Sequence, residues 1–233
     1  MPEPLPYHDG ETALTGHLFR PAGAPRAAVL VLPTIANITP AVATKAQALA
    51  DAGYLALVAD FYGAPVASFE AAFALGGALR VDVDVYRARL FAALSAMTGL
   101  PGVSGLPLAA IGYCMGGQAA LELARAGAGL AAVVSYHGLL TTDRPAAPGA
   151  ISARILVCHG DADPMATRDQ VLAFWQEMDG AGANWHFLSY ANVRHGFTDP
   201  EADSRGMAAL GYNASADRQS WAATLSLFDE LFG

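Results

Sequence analysis

The chain has 233 residues, 54% of them hydrophobic and only 15% charged, with a formal net charge of -8. That length and apolar content suit one large α/β domain over residues 1–233 with a sizeable core. An acidic chain without a Lys/Arg cluster argues against a nucleic-acid or anionic-membrane surface.

The opening Met1-Pro2-Glu3-Pro4-Leu5-Pro6 has no basic stretch followed by an apolar one, and no apolar run approaches a membrane span. The expectation is a cytoplasmic protein, a monomer or small homo-oligomer, acting on a small molecule. Two cysteines in a chain this long form no disulfide framework, so each is weighed alone.

An early strand is expected over Leu14–Phe19, paired near Pro6–His8. Ala27–Leu32 is a continuous apolar run of the kind buried on both faces of a parallel sheet, and Pro33 ends it. The loop Thr34–Thr39 follows at that strand's carboxyl end. Pro40 then suits the first turn of a helix over Ala41–Ala52, closed by Gly53. Tyr54–Ala59 completes a strand-helix-strand unit.

Ala64–Val81, with Gly76-Gly77, reads as a short helix or a loop passing over a site. Val85–Thr98 is expected to be amphipathic, with Val85, Leu90, Phe91, Leu94 and Met97 inward. Strands are expected at Leu106–Ile111, Leu130–Tyr136, Ile155–Cys158 and Asn184–Tyr190, and helices at Arg168–Asp179 and Ala216–Phe232. The last carries Trp221, Leu225, Phe228 and Leu231 as its apolar stripe. Such alternation predicts a doubly wound, mostly parallel α/β sheet with helices on both faces.

The centre of the pattern is Gly112-Tyr113-Cys114-Met115-Gly116-Gly117, after one strand and before an Ala/Leu-rich helix. It is a strand-to-helix elbow of the form G-x-S-x-G with cysteine at the corner. Gly112 and Gly116 flank a strained residue whose neighbours have no room for side chains. The helix start aims unpaired N–H groups at the thiol, favouring a thiolate and supplying part of an oxyanion site at Met115. A second N–H is expected from Ile35, while Thr34 and Tyr136 are expected to line the substrate pocket. Cys158, inside an apolar strand, reads as core packing.

An acid is sought after the Ile155–Cys158 strand, where Asp161 and Asp163 lie in one turn. Asp163 is preferred because Pro164 biases it toward an extended backbone and removes the next N–H. Of six histidines, His195 alone lies in a short loop after the last strand and before a long helix. His137 and His159 read as structural or supporting hydrogen-bonding groups. The order Cys114, Asp163, His195 matches nucleophile, acid and base in a hydrolase triad. No His/Asp/Glu cluster has metal-ligand spacing, and no G-x-G-x-x-G follows the Ala27–Leu32 strand, so neither metal nor dinucleotide is expected.

These residues, together with Val134-Ser135-Tyr136-His137-Gly138, His159-Gly160-Asp161-Ala162-Asp163-Pro164 and His195-Gly196-Phe197, resemble the dienelactone hydrolase (carboxymethylenebutenolidase) family from about Leu14 to the C-terminus. The resemblance implies an α/β-hydrolase fold, a Cys-Asp-His triad at Cys114, Asp163 and His195, and hydrolysis of an ester or lactone. Two positions depart from the family pattern. Thr34 stands where members usually carry a glutamate beside the resting thiol, and Asp199 stands where an arginine usually holds the substrate carboxylate. Both departures favour a neutral or less acidic ester or lactone. Arg80 is either a replacement arginine or a solvated surface residue, and an arginine in the pocket would restore an acidic lactone. The competing readings are an inactive binding protein on the same fold and a class I glutamine amidotransferase. His195-Gly196-Phe197 lacks the acid of that enzyme's H-x-E motif.

Overall fold

The chain begins with an antiparallel hairpin: β1 (Glu3–Asp9) pairs with β2 (Thr12–Phe19), Pro6 opposite Thr15 and His8 opposite Ala13. The computed structural model describes residues 2–233. β2 runs antiparallel to β4 (Leu55–Val58), which lies parallel to β3 (Ala28–Leu32). From there β5 (Leu108–Tyr113), β6 (Ala132–Tyr136), β7 (Arg154–Gly160) and β8 (Asn184–Tyr190) continue in parallel. The eight-stranded order is β1-β2-β4-β3-β5-β6-β7-β8.

Period-two alternation sends β3 side chains into two cores. Ala28, Leu30 and Leu32 pack under α3 (Val83–Thr98), α4 (Met115–Arg125) and α5 (Arg168–Gly180), while Val29 and Val31 face α1 (Pro40–Asp51) and α6 (Ala214–Phe232). Each fully buried Leu or Val contributes about 1.5–3 kcal/mol, which is why these runs carry no polar residue. α1 starts where its sequence dictates: Thr39 Oγ1 accepts the Val42 N–H at 3.4 Å, Pro40 occupies the first turn, and Gly53 leaves at φ 92°.

Ala64–Val81 resolves into a loop followed by α2 (Phe69–Arg80), capped by Ser68 Oγ accepting the Ala71 N–H at 3.1 Å. On α3 the expected inward face is rotated. Leu90, Leu94 and Met97 are buried as expected, but Val85 and Phe91 are 50% and 37% exposed, and Tyr86 and Ala93 take their inward places. On α6 Phe228 faces the sheet as expected, but the rest of that stripe is Ala216, Ser220, Thr224 and Leu227, with Trp221, Leu225 and Leu231 half-buried at its flanks. Small residues win that contact because they let the helix lie close to the sheet, where Thr224 meets Tyr136. Among the described residues no helix is long and apolar enough to cross a membrane.

Candidate active site

β5 ends at Tyr113 and α4 begins at Met115, leaving Cys114 at φ 57° and ψ −118°. A non-glycine residue in this region costs about 1–3 kcal/mol and persists only where neighbours enforce it. They do. A Cβ on Gly112 would collide with the Gly116 carbonyl, and one on Gly116 with the carbonyls of Leu32 and Pro33, so both glycines are required by close approach. The Cys114 N–H is shared between Tyr136 O and His137 Nδ1, each at 3.1 Å.

His195 follows β8 in a loop whose path is fixed by backbone bonds to the segment after it, His195 N–H to Ala209 O and Gly211 N–H to His195 O. Its Nδ1 is 2.7 Å from Asp163 Oδ2, and both side chains are buried. The other Asp163 oxygen accepts the Met165 N–H at 2.8 Å, so the carboxylate cannot rotate away. Asp161, the alternative acid, instead pairs with exposed Arg168. His195 Nε2 is buried without a hydrogen-bond partner among the described residues. The Cys114 thiol lies beside it, near enough that each group sets the other's titration.

The electrostatics follow from this arrangement. Burial pushes the Cys114 thiol up, but the His195 imidazolium and the N–H groups of Met115 and Ile35 outweigh it and hold the thiol below its ordinary range. Burial likewise opposes charge on His195, yet the neighbouring Cys114 sulfur and the Asp163 carboxylate raise it to about 10. Both shifts favour one state, a thiolate beside an imidazolium. Cys158 shows the contrast: in the core with no such partners, burial pushes its thiol far up.

Met115 and Ile35, expected to offer N–H groups, both line the cavity with Cys114, and their backbone N–H groups help to lower its thiol. The loop carrying Ile35 is tied down by a network that no local motif announces. Asn37, at φ 62°, donates to Asp60 Oδ1 at 2.8 Å and accepts the Phe61 N–H at 3.0 Å, while Asp60 also accepts from Thr15, Tyr62 and Gly63. The Tyr62 hydroxyl donates to Ile35 O at 3.1 Å. The available signal was an asparagine in a strand-end loop and an aspartate opening the turn Asp60-Phe61-Tyr62-Gly63.

A cavity opens above the sulfur, walled by Ile35, Phe69, Phe73, Leu139, Met165, Met207 and Leu210, with Thr34 at its rim. Tyr136 is not part of this wall. Its ring stacks on Tyr113 at 4.7 Å and its hydroxyl meets Thr224 of α6, because alternation along β6 turns it to the opposite face of the sheet. Asp199 lines the cavity, but Arg205 pairs with its carboxylate, so the repulsion expected toward an anionic substrate is largely neutralised. Lys45 is paired with Asp217 at 2.7 Å. Arg80 also lines the cavity and bonds only uncharged acceptors, Gly76 O at 3.0 Å and Gln118 Oε1 at 3.3 Å. Among the described residues no carboxylate pairs with it.

A sequence model of the dienelactone hydrolase family matches residues 14–232. The chain belongs to the dienelactone hydrolase family. It is 37% identical, with a TM-score of 0.94, to the dienelactone hydrolase-like promiscuous phosphotriesterase P91 from metagenomic libraries, covering 100% of this chain and 99% of that one. A probable 2-oxo-3-(5-oxofuran-2-ylidene)propanoate lactonase of Bradyrhizobium is 27% identical across 93% of this chain and 89% of its own. An uncharacterized protein of Caenorhabditis elegans is 38% identical over 62% of this chain and 92% of its own. A dienelactone hydrolase from Anabaena variabilis, 22% identical with a TM-score of 0.70 over 100% and 99% of the two chains, shares the fold. Membership of a dienelactone hydrolase family makes the chain a hydrolase of the ester and lactone type and sets aside the amidotransferase alternative.

Proposed function

We propose that the protein hydrolyses an ester or lactone through a Cys114-His195-Asp163 triad and a thioester intermediate. The observation that carries this is the buried pair of His195 Nδ1 and Asp163 Oδ2 at 2.7 Å beside the cavity that Cys114 lines from its strained strand-to-helix corner at φ 57°. Cys114 sulfur attacks the substrate carbonyl, its proton held on His195. The tetrahedral oxyanion accepts hydrogen bonds from Met115 and Ile35 N–H. Collapse breaks the acyl C–O bond, and the leaving oxygen takes the proton from His195 Nε2. His195 then deprotonates a water that attacks the thioester, and the thiolate departs. Asp163 keeps the proton on Nδ1 throughout and stabilises the imidazolium. In a lactone the leaving oxygen stays tethered to the acyl chain, so a single hydroxy acid is released.

For the substrate, the apolar wall suits a hydrocarbon or aryl acyl group, and unpaired Arg80 suits a negative substituent at one end of it. A phosphotriester is a second substrate class, supported by the activity stated for the metagenomic relative and by the fact that two N–H donors serve a phosphoryl oxygen as well as a carbonyl oxygen. The cytoplasm is the compartment we infer, since its reducing conditions keep an accessible Cys114 as a thiol.

A stopped-flow assay with p-nitrophenyl acetate, with paraoxon measured alongside, tests the reading. A burst of p-nitrophenol that Cys114→Ala and prior thiol alkylation both abolish supports it. Turnover untouched by either change refutes it.

A further inference from the structure

His137 occupies an unusual place for a residue the triad does not need. It follows β6 directly at φ 39°, a left-handed conformation that L side chains seldom adopt, and its own N–H is tied to Cys158 O at 2.8 Å. Its ring is buried against the catalytic loop, edge-to-face with His195 and Phe197, each at 5.1 Å. Both ring nitrogens are occupied. Nδ1 accepts the Cys114 N–H at 3.1 Å, so that nitrogen carries no proton, and Nε2 carries it and donates to Thr198 Oγ1 at 2.8 Å. A ring so engaged has no lone pair or proton left for the substrate, which rules out general acid or base work.

We propose that His137 is a positioning residue for the nucleophile: its neutral ring, oriented by Thr198, clamps the Cys114 N–H and thereby holds the sulfur before His195 and the Met115 and Ile35 N–H groups. The inference rests on Cys114 being the nucleophile. Two adjoining residues in unfavoured backbone conformations grip each other here, and such strain is kept only where the surroundings over-determine it. The charged or titratable groups around the ring are His195, Cys114 and Tyr113, whose ring lies 6.2 Å away, with Lys45 acting on it through its charge. Burial, then the charge on His195, keep His137 far below the ordinary histidine range, so the clamp stays neutral while His195 is an imidazolium. A second cation there would break the Nδ1 bond and oppose that charge.

The sequence signal was the histidine in Ser135-Tyr136-His137-Gly138. Gly138 packs against Gly117 and Gln118 so closely that a Cβ would strike them, which locks the segment bearing His137 to the first turn of α4.

Three variants test the clamp. His137→Phe keeps a planar ring but removes the Nδ1 acceptor, leaving the Cys114 N–H with Tyr136 O alone. His137→Asn returns an oxygen at the position of Nδ1 and tolerates positive φ. Thr198→Val keeps the imidazole but removes the oxygen that orients it. With p-nitrophenyl acetate, H137F is expected to lose about tenfold in kcat with KM within about twofold, the scale of one buried hydrogen bond. The pH midpoint of iodoacetamide labelling at Cys114 moves up toward an ordinary thiol. H137N recovers most of the rate and the midpoint, and T198V loses about threefold. A role in folding alone would instead follow the melting temperature, which is measured for all three. Wild-type kcat and labelling in folded H137F or T198V overturns the proposal, as does an H137N as impaired as H137F. Should H137F not fold, H137N and T198V decide. Absence of Cys114-dependent turnover in the unaltered protein defeats the nucleophile reading itself, whereas normal wild-type turnover with unaffected variants defeats only the clamp.

Discussion

Replacing Asp163 by asparagine removes one charge and changes almost no volume, yet it strikes the bond on which His195 depends. The carboxylate contributes a charge-assisted hydrogen bond at 2.7 Å between two buried side chains. Such bonds are worth about 1.5–3 kcal/mol, or roughly 10- to 150-fold in rate. A second cost comes from the tautomer. The Met165 N–H already claims one carboxylate oxygen, so the amide must keep its own oxygen there and turn its NH2 toward His195. Nδ1 then has to accept, the proton moves to Nε2, and the nitrogen facing Cys114 can no longer take the thiol proton. In serine proteases the equivalent change costs about 10⁴ in kcat.

For this chain a fall of about 10³ in kcat/KM is expected, smaller because a thiol ionises more readily than an alcohol. The assay is p-nitrophenyl acetate hydrolysis from pH 5 to 10, with Asp161→Asn as the control, since Asp161 pairs only with exposed Arg168. D161N is expected within about twofold of wild type, the scale of a surface ion pair. D163N within threefold of wild type, or no more impaired than D161N, would show that His195 does not depend on the Asp163 carboxylate.

Other consequences are measurable with the same material. The thiol is held below its ordinary range and His195 keeps its proton up to about pH 10; iodoacetamide labelling of Cys114 should therefore be fast at neutral pH and fall only as pH drops through the depressed thiol pKa. A midpoint near the ordinary value of about 8.5 contradicts the ion pair. Arg80→Gln should lower kcat/KM for an ester bearing a carboxylate about tenfold more than for its neutral analogue, from loss of one charge-assisted bond, and an unchanged ratio removes Arg80 from substrate binding. Gly76 lies where α2 rests on the loop of Ile35: a Cβ there would sit 2.8 Å from Ile35 Cγ1 and 3.0 Å from Met115 Sδ. Gly76→Ala should destabilise the fold by about 1–3 kcal/mol, read as a lower melting temperature, and reduce kcat by shifting the Ile35 donor. Wild-type melting and kcat contradict that packing.

What the sequence disclosed depended on how local the determining physics was. The elbow is written in consecutive residues, because the collisions that demand Gly112 and Gly116 arise within one turn and its neighbouring strand. β3 is equally plain, since both faces are buried and every residue is apolar. On α3 and α6, by contrast, the apolar residues outnumber the inward positions, and which stripe faces the sheet is decided by how closely the helix approaches. That distance is a tertiary property: Ser220 and Thr224 are buried, while the larger Trp221 is left at the flank. Tyr136 lies on the face opposite the expected pocket because alternation fixes the face of a strand residue only once the register is set. Asn37, Asp60 and His137 act through partners 23 residues away in each case, Asn37 with Asp60 and Cys114 with His137, and no local pattern announces such pairs. Asp199 is the sharpest instance. Alone it predicts repulsion of an anion, but Arg205 six residues on neutralises it.

The proposed mechanism requires that Cys114 carry the acyl group. Rapid acid quench of a p-nitrophenyl ester reaction in its first turnover, followed by intact-mass measurement and peptide mapping, tests this directly. One acyl group on the peptide containing Cys114, decaying at the rate of turnover and absent from Cys114→Ala, is the predicted result. Steady turnover with no acyl group on that peptide, and activity retained in Cys114→Ala, would contradict it.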